Sequence, residues 1–523
     1  MPSSWSHDLR PLGQEKNKAG VPFLDSWRSR SFRTGSRSGP FVALPGYGST
    51  PAILLVQPGF PQPSFPQIPA PFRSLPMNPC SVFLTFLLGS SLTLIAAPPE
   101  WPEWRGPGGQ GHAPASARNL PTAWSDTSNV VWKTSLPGRG WSSPVIEGNR
   151  IWVTTAHETP ASPEETRERL KANTSDQPLT LLSKVAMHAL CIDRTTGRIL
   201  HNLPLLSEQN PQWVHTLNSY ASPTPVLESG RGYFHFGTFG TLCLDTTSGQ
   251  VLWTNSDLKI MHENGPGSSP ILVGDLLVFH LDGSDTQSIV ALDKRTGKLA
   301  WRTQRSGTMA SHPQLRKSYA TPALVPIDGR NQILSQGADW LYAYDPADGH
   351  ELWKLKYGSL GFSLSSRAVT GHGRIYLCTG YSRSEVHAIQ LPTKSDTNPS
   401  TEATHAWKYT KGAPTMSSPL LVGNELYFVN DSGGMFTCLD AHTGQELYRE
   451  RLGGSHSASP LLADGLIHLA SREGDIHVIR PGRKFELVAK NTLPGQIMAS
   501  PVALEDALYY RTDTALYRIA ATK

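Results

Sequence analysis

The chain has 523 residues, 38% of them hydrophobic and 17% charged, with a formal net charge of +5. That surplus sits at one end: residues 1–76 hold eight Lys and Arg against three Asp and Glu, so the other 447 balance at 39 against 39. The length is ample for a large core, and the neutral body shows no overall electrostatic footprint for nucleic acid or an acidic membrane.

Residues 1–76, rich in Pro, Ser, Gly and Arg and without periodicity, read as disordered or as an over-long start. The apolar run Ser81 to Ala97 follows Met77 and is too short and too interrupted for a membrane span. Residues 77–97 therefore read as a signal peptide, the alternative being a retained anchor. The mature chain is then expected to be exported, periplasmic or extracellular, monomeric and without an integral membrane domain. Residues 98–129 form a lead-in segment, and the repeats occupy residues 130–523.

The first repeated signal is Asp-x-x-x-Gly followed by Trp: Asp245, Gly249 and Trp253; Asp293, Gly297 and Trp301; Asp345, Gly349 and Trp353. Asp440 and Gly444 continue it with Tyr448, and a weaker copy from Asp193 keeps Gly197 but puts His201 in the Trp position. The Asp and Gly suit a hairpin turn, in which the carboxylate accepts backbone N–H bonds and Gly supplies positive φ. The Trp falls in the following strand, where a large flat side chain packs between neighbouring units. The second signal, a small residue and Pro opening an apolar run, occurs at Ser143, Ser222, Ser269, Thr321, Ser418, Ser459 and Ser500, with Ser366-Arg367 filling the gap. These eight units recur at about 41 to 52 residues, with one step of about 79. Four short strands at this period predict an all-β, eight-bladed β-propeller of antiparallel blades.

In the sixth unit the expected strands are 417–422, 425–430, 435–440 and 446–451. The eighth has only three before the chain stops, while Val130 to Leu136 matches a fourth strand and has no unit ahead of it. That strand is expected to close the ring and leave no open edge. Insertions fall at 157–184, between the second and third strands of unit one, at 203–219 between units one and two, and at 391–405 inside unit five. The first carries Ser162-Pro163-Glu164-Glu165, a capped start for a short helix to about Ala172. The first two insertions emerge on one face, which marks it as the used face.

The Asp-x-x-x-Gly-x-x-x-Trp copies with the Ser-Pro openings resemble the pyrroloquinoline-quinone (PQQ) repeat of eight-bladed propellers, and Trp101-Pro-Glu-Trp104-Arg-Gly106 resembles the start of exported PQQ-like propellers without defined activity. The resemblance implies the fold, since in that family the repeat builds the ring and does not bind the cofactor. It also implies two kinds of function: quinone-dependent dehydrogenases, and a non-enzymatic scaffold of outer-membrane protein assembly. The dehydrogenases carry an adjacent Cys pair, a Ca²⁺ held by Glu and Asn, and an Asp base. No cysteines are adjacent here, and Glu263 beside Asn264 is not a dispersed oxygen cage. No cofactor is predicted, PQQ with Ca²⁺ being the alternative, and no metal or catalytic residue is assigned.

Cys191, Cys243 and Cys438 stand two residues before the repeat Asp, where other copies have Ala, and read as small core thiols. The run Asn430 to Gly434 matches a serine-protease nucleophile loop but falls at a hairpin turn. Residues just ahead of the strand openings converge on the channel mouth: Arg139, Trp141, His215, Asn218, Tyr220 and His262, then Glu263, Asn264, Lys317, Tyr319 and His456. They form a candidate ligand funnel, their side chains expected to reach solvent. The favoured function is a non-catalytic propeller binding a partner protein or extracellular ligand on the elaborated face. The alternatives are a cofactor-dependent oxidoreductase and, more weakly, a glycan-processing enzyme.

Overall fold

A computed structural model describes residues 100–521 apart from 126, 174–176, 359–360 and 393–401. The readings of residues 1–97, including the signal peptide, lie outside the described residues. Eight antiparallel sheets follow one another along the chain, each ordered from an inner strand A to an outer strand D. The sixth blade is typical: Leu420–Val422, Glu425–Val429, Met435–Asp440 and Glu446–Arg451. Strands B and C are buried on both faces, because a neighbouring blade covers each side, whereas outer strands such as Glu351–Lys356 alternate half-buried and exposed. In the eighth blade the outer strand is Val130–Ser135, paired with Ala515–Ala520. The ring is an eight-bladed propeller closed by its N-terminal strand.

The turn motif docks each blade onto the last. Asp293 Oδ1 accepts the N–H groups of Arg295 and Thr296 at 3.2 and 2.9 Å, and Gly297 sits at φ 70°. The Trp253 ring of the preceding blade lies on Gly297, where a Cβ would stand 2.3 Å from it, and Trp253 Nε1 donates to the Lys294 carbonyl at 3.0 Å. Trp301 repeats this on Gly349, Trp407 on Gly444 and Trp132 on Gly197. So Trp132 carries the closing seam, and the glycine is required twice, for its φ and for the ring it admits. His201 does hold the Trp register, opposite Cys191, but Leu203 covers Gly249 in its place. Among the described residues no glycine lies against Trp353, which donates to Gln332 of its own blade.

The strand openings form a second set of contacts around the channel. Each N–H donates to the hydroxyl of the next blade: Ser143 to Thr224 at 2.9 Å, Thr224 to Ser269 at 3.0 Å and Ser269 to Thr321 at 3.0 Å. The belt resumes from Arg367 to Ser418, then to Ser459, Ser500 and back to Ser143, all at 2.9 to 3.1 Å. This corrects the second opening. Thr224-Pro225, two residues beyond Ser222, stands directly before strand Val226–Glu228, and Ser222 instead bonds Asn218. Blade five puts Arg367 at the belt position, and arginine has no hydroxyl to offer Thr321.

The insertions in blade one are strand at their ends, which narrows the first connecting segment from 157–184 to 161–181 and moves the start of the second from 203 to 210. Arg150–Pro160, Leu182–Asp193 and Ile199–Gln209 run 11, 12 and 11 residues, against five or six in blade six. Continuous pairing from Arg150 to Pro160 makes an arm that extends this blade. The helix Pro163–Leu170 caps it, Ser162 Oγ accepting the Glu165 N–H at 3.1 Å. Cys191, Cys243, Cys378 and Cys438 are all buried free thiols.

Candidate functional site

Strand A of each blade starts at the face where the D–A and B–C loops emerge, so the openings ring one mouth of the channel. The other end is crossed by the lead-in segment. Its Glu100–Trp101 pairs with the inner edge of blade one, and the Pro102 carbonyl accepts from Leu227 of blade two. Arg105 Nη2 donates to the Pro419 carbonyl of blade six at 2.8 Å, and Trp104 Nε1 to Ser500 of blade eight at 3.3 Å. Gly111 and Ala113 exchange backbone bonds with Leu462 of blade seven. Arg367, whose position breaks the belt, receives this segment: its Nη1 donates to Glu103 at 2.9 Å and to the Trp104 carbonyl at 3.1 Å. Arg105 and Arg367 were not recognised as a pair in the sequence. The only signal was the misfit of Arg367 in a series of hydroxyl residues.

The funnel residues divide by environment. Tyr220, His262, Lys317 and His456 are buried, at 0, 5, 2 and 0% exposure, which corrects the expectation that they reach solvent. Tyr220 donates its hydroxyl to the Gln212 carbonyl at 2.6 Å within the core beside Phe239. His262 Nε2 accepts the Thr238 N–H at 2.8 Å, and burial lowers its pKa to about 4, so it stays neutral. His456 lies 3.0 Å from two carbonyls, those of Ala470 and Gly453. Lys317 bonds Gln314, and burial lowers its ammonium to about 8 despite the opposing pull of Glu263. Loop hydrogen bonds form because the backbone here has left its sheet ladder and its polar groups need partners.

The remaining residues stay half-exposed at the mouth, and most also brace loops. Asn218 Nδ2 donates to the carbonyls of Asn264 and Pro266, joining the loops on either side of blade two. Tyr319 donates to the His262 carbonyl at 2.7 Å, and Glu263 accepts from Ser284 at 2.8 Å. Arg139 stacks on Trp141 at 5.8 Å and lies 3.9 Å from Glu158. Burial lowers the pKa of His215, and the nearby charges of Arg472 and Lys317 lower it further.

Inside blades three and four, Ser335, His280 and Asp282 mimic a nucleophile, base and acid. Ser335 Oγ is 2.7 Å from His280 Nε2, but His280 Nδ1 is 4.0 Å from Asp282, and Arg305 donates to Ser335 at 2.6 Å. Arg305 also clamps Asp282 at 3.1 and 2.7 Å, and all four groups are sealed from solvent. The arrangement is a buried ion pair in which Arg305 occupies both Asp282 and Ser335 while His280 Nδ1 is left without a hydrogen-bond partner, and it offers no open nucleophile. A cavity beside it, lined by His235, His262, His280, Asp282 and Tyr319, has about 10 Å³ of room for water centres, enough for one water. The 430–434 run is a hairpin turn whose Asp431 accepts the N–H groups of Thr415 and Met416 at 2.6 and 2.9 Å.

Glu263 and Asn264 do not make a Ca²⁺ cage beside a quinone site. Glu263 is engaged with Ser284, and the Asn264 carbonyl with His215 and Asn218. The cavity beside them is far smaller than a fused-ring quinone. Among the described residues no cluster of three His, Cys, Asp or Glu groups is placed to hold a metal ion. None of their helices is long and apolar enough to cross a membrane.

Ring closure, turn motif and belt together define a PQQ-repeat propeller. The chain belongs to the family described as outer membrane protein assembly factor BamB, whose model matches residues 189–430 and 401–484. Two curated relatives are similar over part of the ring: the quinoprotein ethanol dehydrogenase of Pseudomonas aeruginosa, 27% identical over 204 residues, and the 1-butanol dehydrogenase (quinone) of Thauera butanivorans, 25% over 197. Those matches cover 37 and 36% of this chain and only 30 and 29% of the relatives' own length. Among solved structures, BamB from Moraxella catarrhalis aligns at 12% identity and a TM-score of 0.47, covering 75% of this chain and 100% of that one. A europium-containing methanol dehydrogenase aligns at 11% and 0.44, covering 79 and 89%.

Proposed function

We propose that the chain is an exported, non-catalytic propeller that binds a partner protein on the face bearing the arm of blade one. The observation that carries this reading is the position of the exposed apolar side chains that lie off the outer strands. Of the twelve exposed large apolar residues among the described ones, eight lie on outer strands of the blades, and the other four, Leu217, Met261, Leu315 and Tyr381, all stand on the D–A and B–C loops of this face. Large apolar side chains grouped on one face suit a protein interface. Most funnel residues are held in loop bracing, and membership of a family described as an assembly factor supports the same reading. A photo-crosslinking group placed at Met261 or Tyr381 is expected to capture a partner in its native host, whereas one at Leu299, on an outer strand, captures none. Equal adducts from all three positions overturn the reading.

The second reading, an oxidoreductase, is favoured by the 27% identity to a quinoprotein ethanol dehydrogenase. Adding PQQ and Ca²⁺ to the purified chain separates the two. A bound chromophore with a raised melting temperature selects the oxidoreductase, and an unchanged melt selects the scaffold.

A further inference from the structure

The formal neutrality of the folded part conceals a local imbalance. The residue after the repeat Trp, or after its equivalent, is cationic in successive blades: Arg302, Lys354, Lys408 and Arg449. In blades four to six further cations join them where the outer strands reach the loop-bearing face. Lys356 ends its strand there, Arg451 ends another, and Lys411 and Arg383 stand on the adjoining loops. On these outer strands and the two loops that carry Lys411 and Arg383, seven cations face four carboxylates, Glu351, Glu385, Glu446 and Glu450; two more, Asp339 and Asp431, stand on the B–C loops of blades four and six, where Lys356 acts on the first and backbone N–H groups hold the second.

Three of the four carboxylates are already held. Glu351 lies 3.1 Å from Lys354, Glu385 is 2.8 Å from His387, and Glu446 accepts the Tyr409 hydroxyl at 2.6 Å with Lys411 at 4.0 Å. Lys356, Arg383, Lys408 and Arg451 have no carboxylate within ion-pair distance among the described residues, and all four are exposed. The patch is continuous. Lys354 and Lys356 share the Trp340 ring at 5.8 and 5.6 Å, and the Lys356 carbonyl meets His405 of blade five. The side chain of Ser384, next to Arg383, bonds the Pro414 carbonyl on the loop that carries Lys411. Tyr381, edge-on to Phe362 at 5.9 Å, puts an exposed aromatic ring beside the charges.

We propose that this rim over blades four to six docks an acidic segment of a partner polypeptide. The proposal rests on the scaffold reading and adds the chemistry of what is bound. Unpaired like charges repel one another, and an anionic chain laid along them relieves that repulsion and is steered in from a distance. The interspersed Glu446 and Glu450 and the exposed Tyr381 suit a peptide that can place its own charges and apolar groups. A flat anionic bilayer would meet the carboxylates indiscriminately.

The test uses a fluorescent deca-glutamate peptide, so it needs no knowledge of the natural partner. Binding to the full chain at low salt is expected, weakening steeply as salt rises. The triple variant Lys356→Glu, Lys408→Glu, Arg451→Glu is expected to bind about ten-fold more weakly or worse, with an unchanged melt because the side chains are exposed. Lys259→Glu and Lys298→Glu, on blades two and three, are controls expected to leave binding as it was. Equal binding by the triple variant overturns the proposal, as does capture by vesicles containing phosphatidylglycerol without capture of the peptide. Either failure leaves the crosslinking result at Met261 standing, so the two readings can fail separately.

Discussion

The seam between blades three and four and the seam between blades four and five are built from the same repeat and differ, among the described residues, in the platform of the Trp and in the belt link. At the first, Trp301 lies on Gly349, Thr303 donates to the Gly349 carbonyl at 2.6 Å, and the belt link Ser269 to Thr321 is present. At the second, Trp353 turns to Gln332 of its own blade, and Arg367 removes the belt hydroxyl. The second seam is held instead by apolar packing of Trp353 and Leu355 near Leu377 and Ile389, by Gln336 donating to the Cys378 carbonyl at 3.2 Å and Tyr319 N–H to the Leu364 carbonyl at 2.7 Å, and by the lead-in segment on Arg367. A ring of near-identical units tolerates one irregular seam when a segment outside the repeat is anchored there. The irregularity thus marks where that segment docks.

The largest expected effect tests whether closure of the ring matters more than any one seam. A chain beginning at residue 138 lacks Val130–Ser135 and bares the Ala515–Ala520 edge, while a chain beginning at residue 98 keeps the pairing. The shorter chain is expected to aggregate and the longer one to remain soluble and cooperative in its melt. Equal solubility of the two would show that the closing strand is dispensable.

Next comes the contrast between the two tryptophans. Trp301→Ala removes a ring packed onto a glycine of the next blade, and is expected to cost about 3–5 kcal/mol in denaturant unfolding. Trp353→Ala, with no glycine platform, is expected to cost at least about 1 kcal/mol less. Equal losses would mean that the glycine contact adds nothing beyond burial. Within the belt, Ser459→Ala strips the acceptor from the buried Ser418 N–H and is expected to cost about 1–3 kcal/mol. A melt matching the parent chain would reduce the belt to a by-product of the geometry.

The ring was legible because it depends on local chemistry repeated many times. Each Asp turn, each Gly and each Pro opening acts within a few residues, so the period shows in the sequence. The docking carbonyl of each Trp lies 34 to 62 residues away, on the next blade, and only the register of Trp132 with the missing strand hinted at it. The belt was half visible: hydroxyl residues recur at the openings, but their bonds run between blades. The arm of blade one was misread because its extra residues lengthen three strands at once, and a lengthened strand looks like an inserted loop when only its ends are known. The mouth was least legible. Position ahead of a strand fixes where a residue sits, whereas the direction of its side chain depends on loops from two blades.

That last point yields the smallest expected effect. Arg139 and Tyr220 flank the same opening of the channel, two units of the candidate funnel with opposite surroundings. Tyr220 is sealed in the core, and its hydroxyl holds the Gln212 carbonyl. The Arg139 side chain is 30% exposed, its ion pair with Glu158 is long at 3.9 Å, and its other polar contact is to the Thr216 carbonyl in a loop. An exposed pair of this length contributes at most about 1 kcal/mol, and the carbonyl it leaves can turn to water. Arg139→Ala is therefore expected to cost below about 1 kcal/mol, while Tyr220→Ala costs several times more. Should Arg139→Ala melt as early as Tyr220→Ala, the mouth is a rigid structural rim throughout. If it melts with the parent chain, Arg139 remains free to be used by whatever docks on that face, and the boundary between core and interface runs between these two side chains.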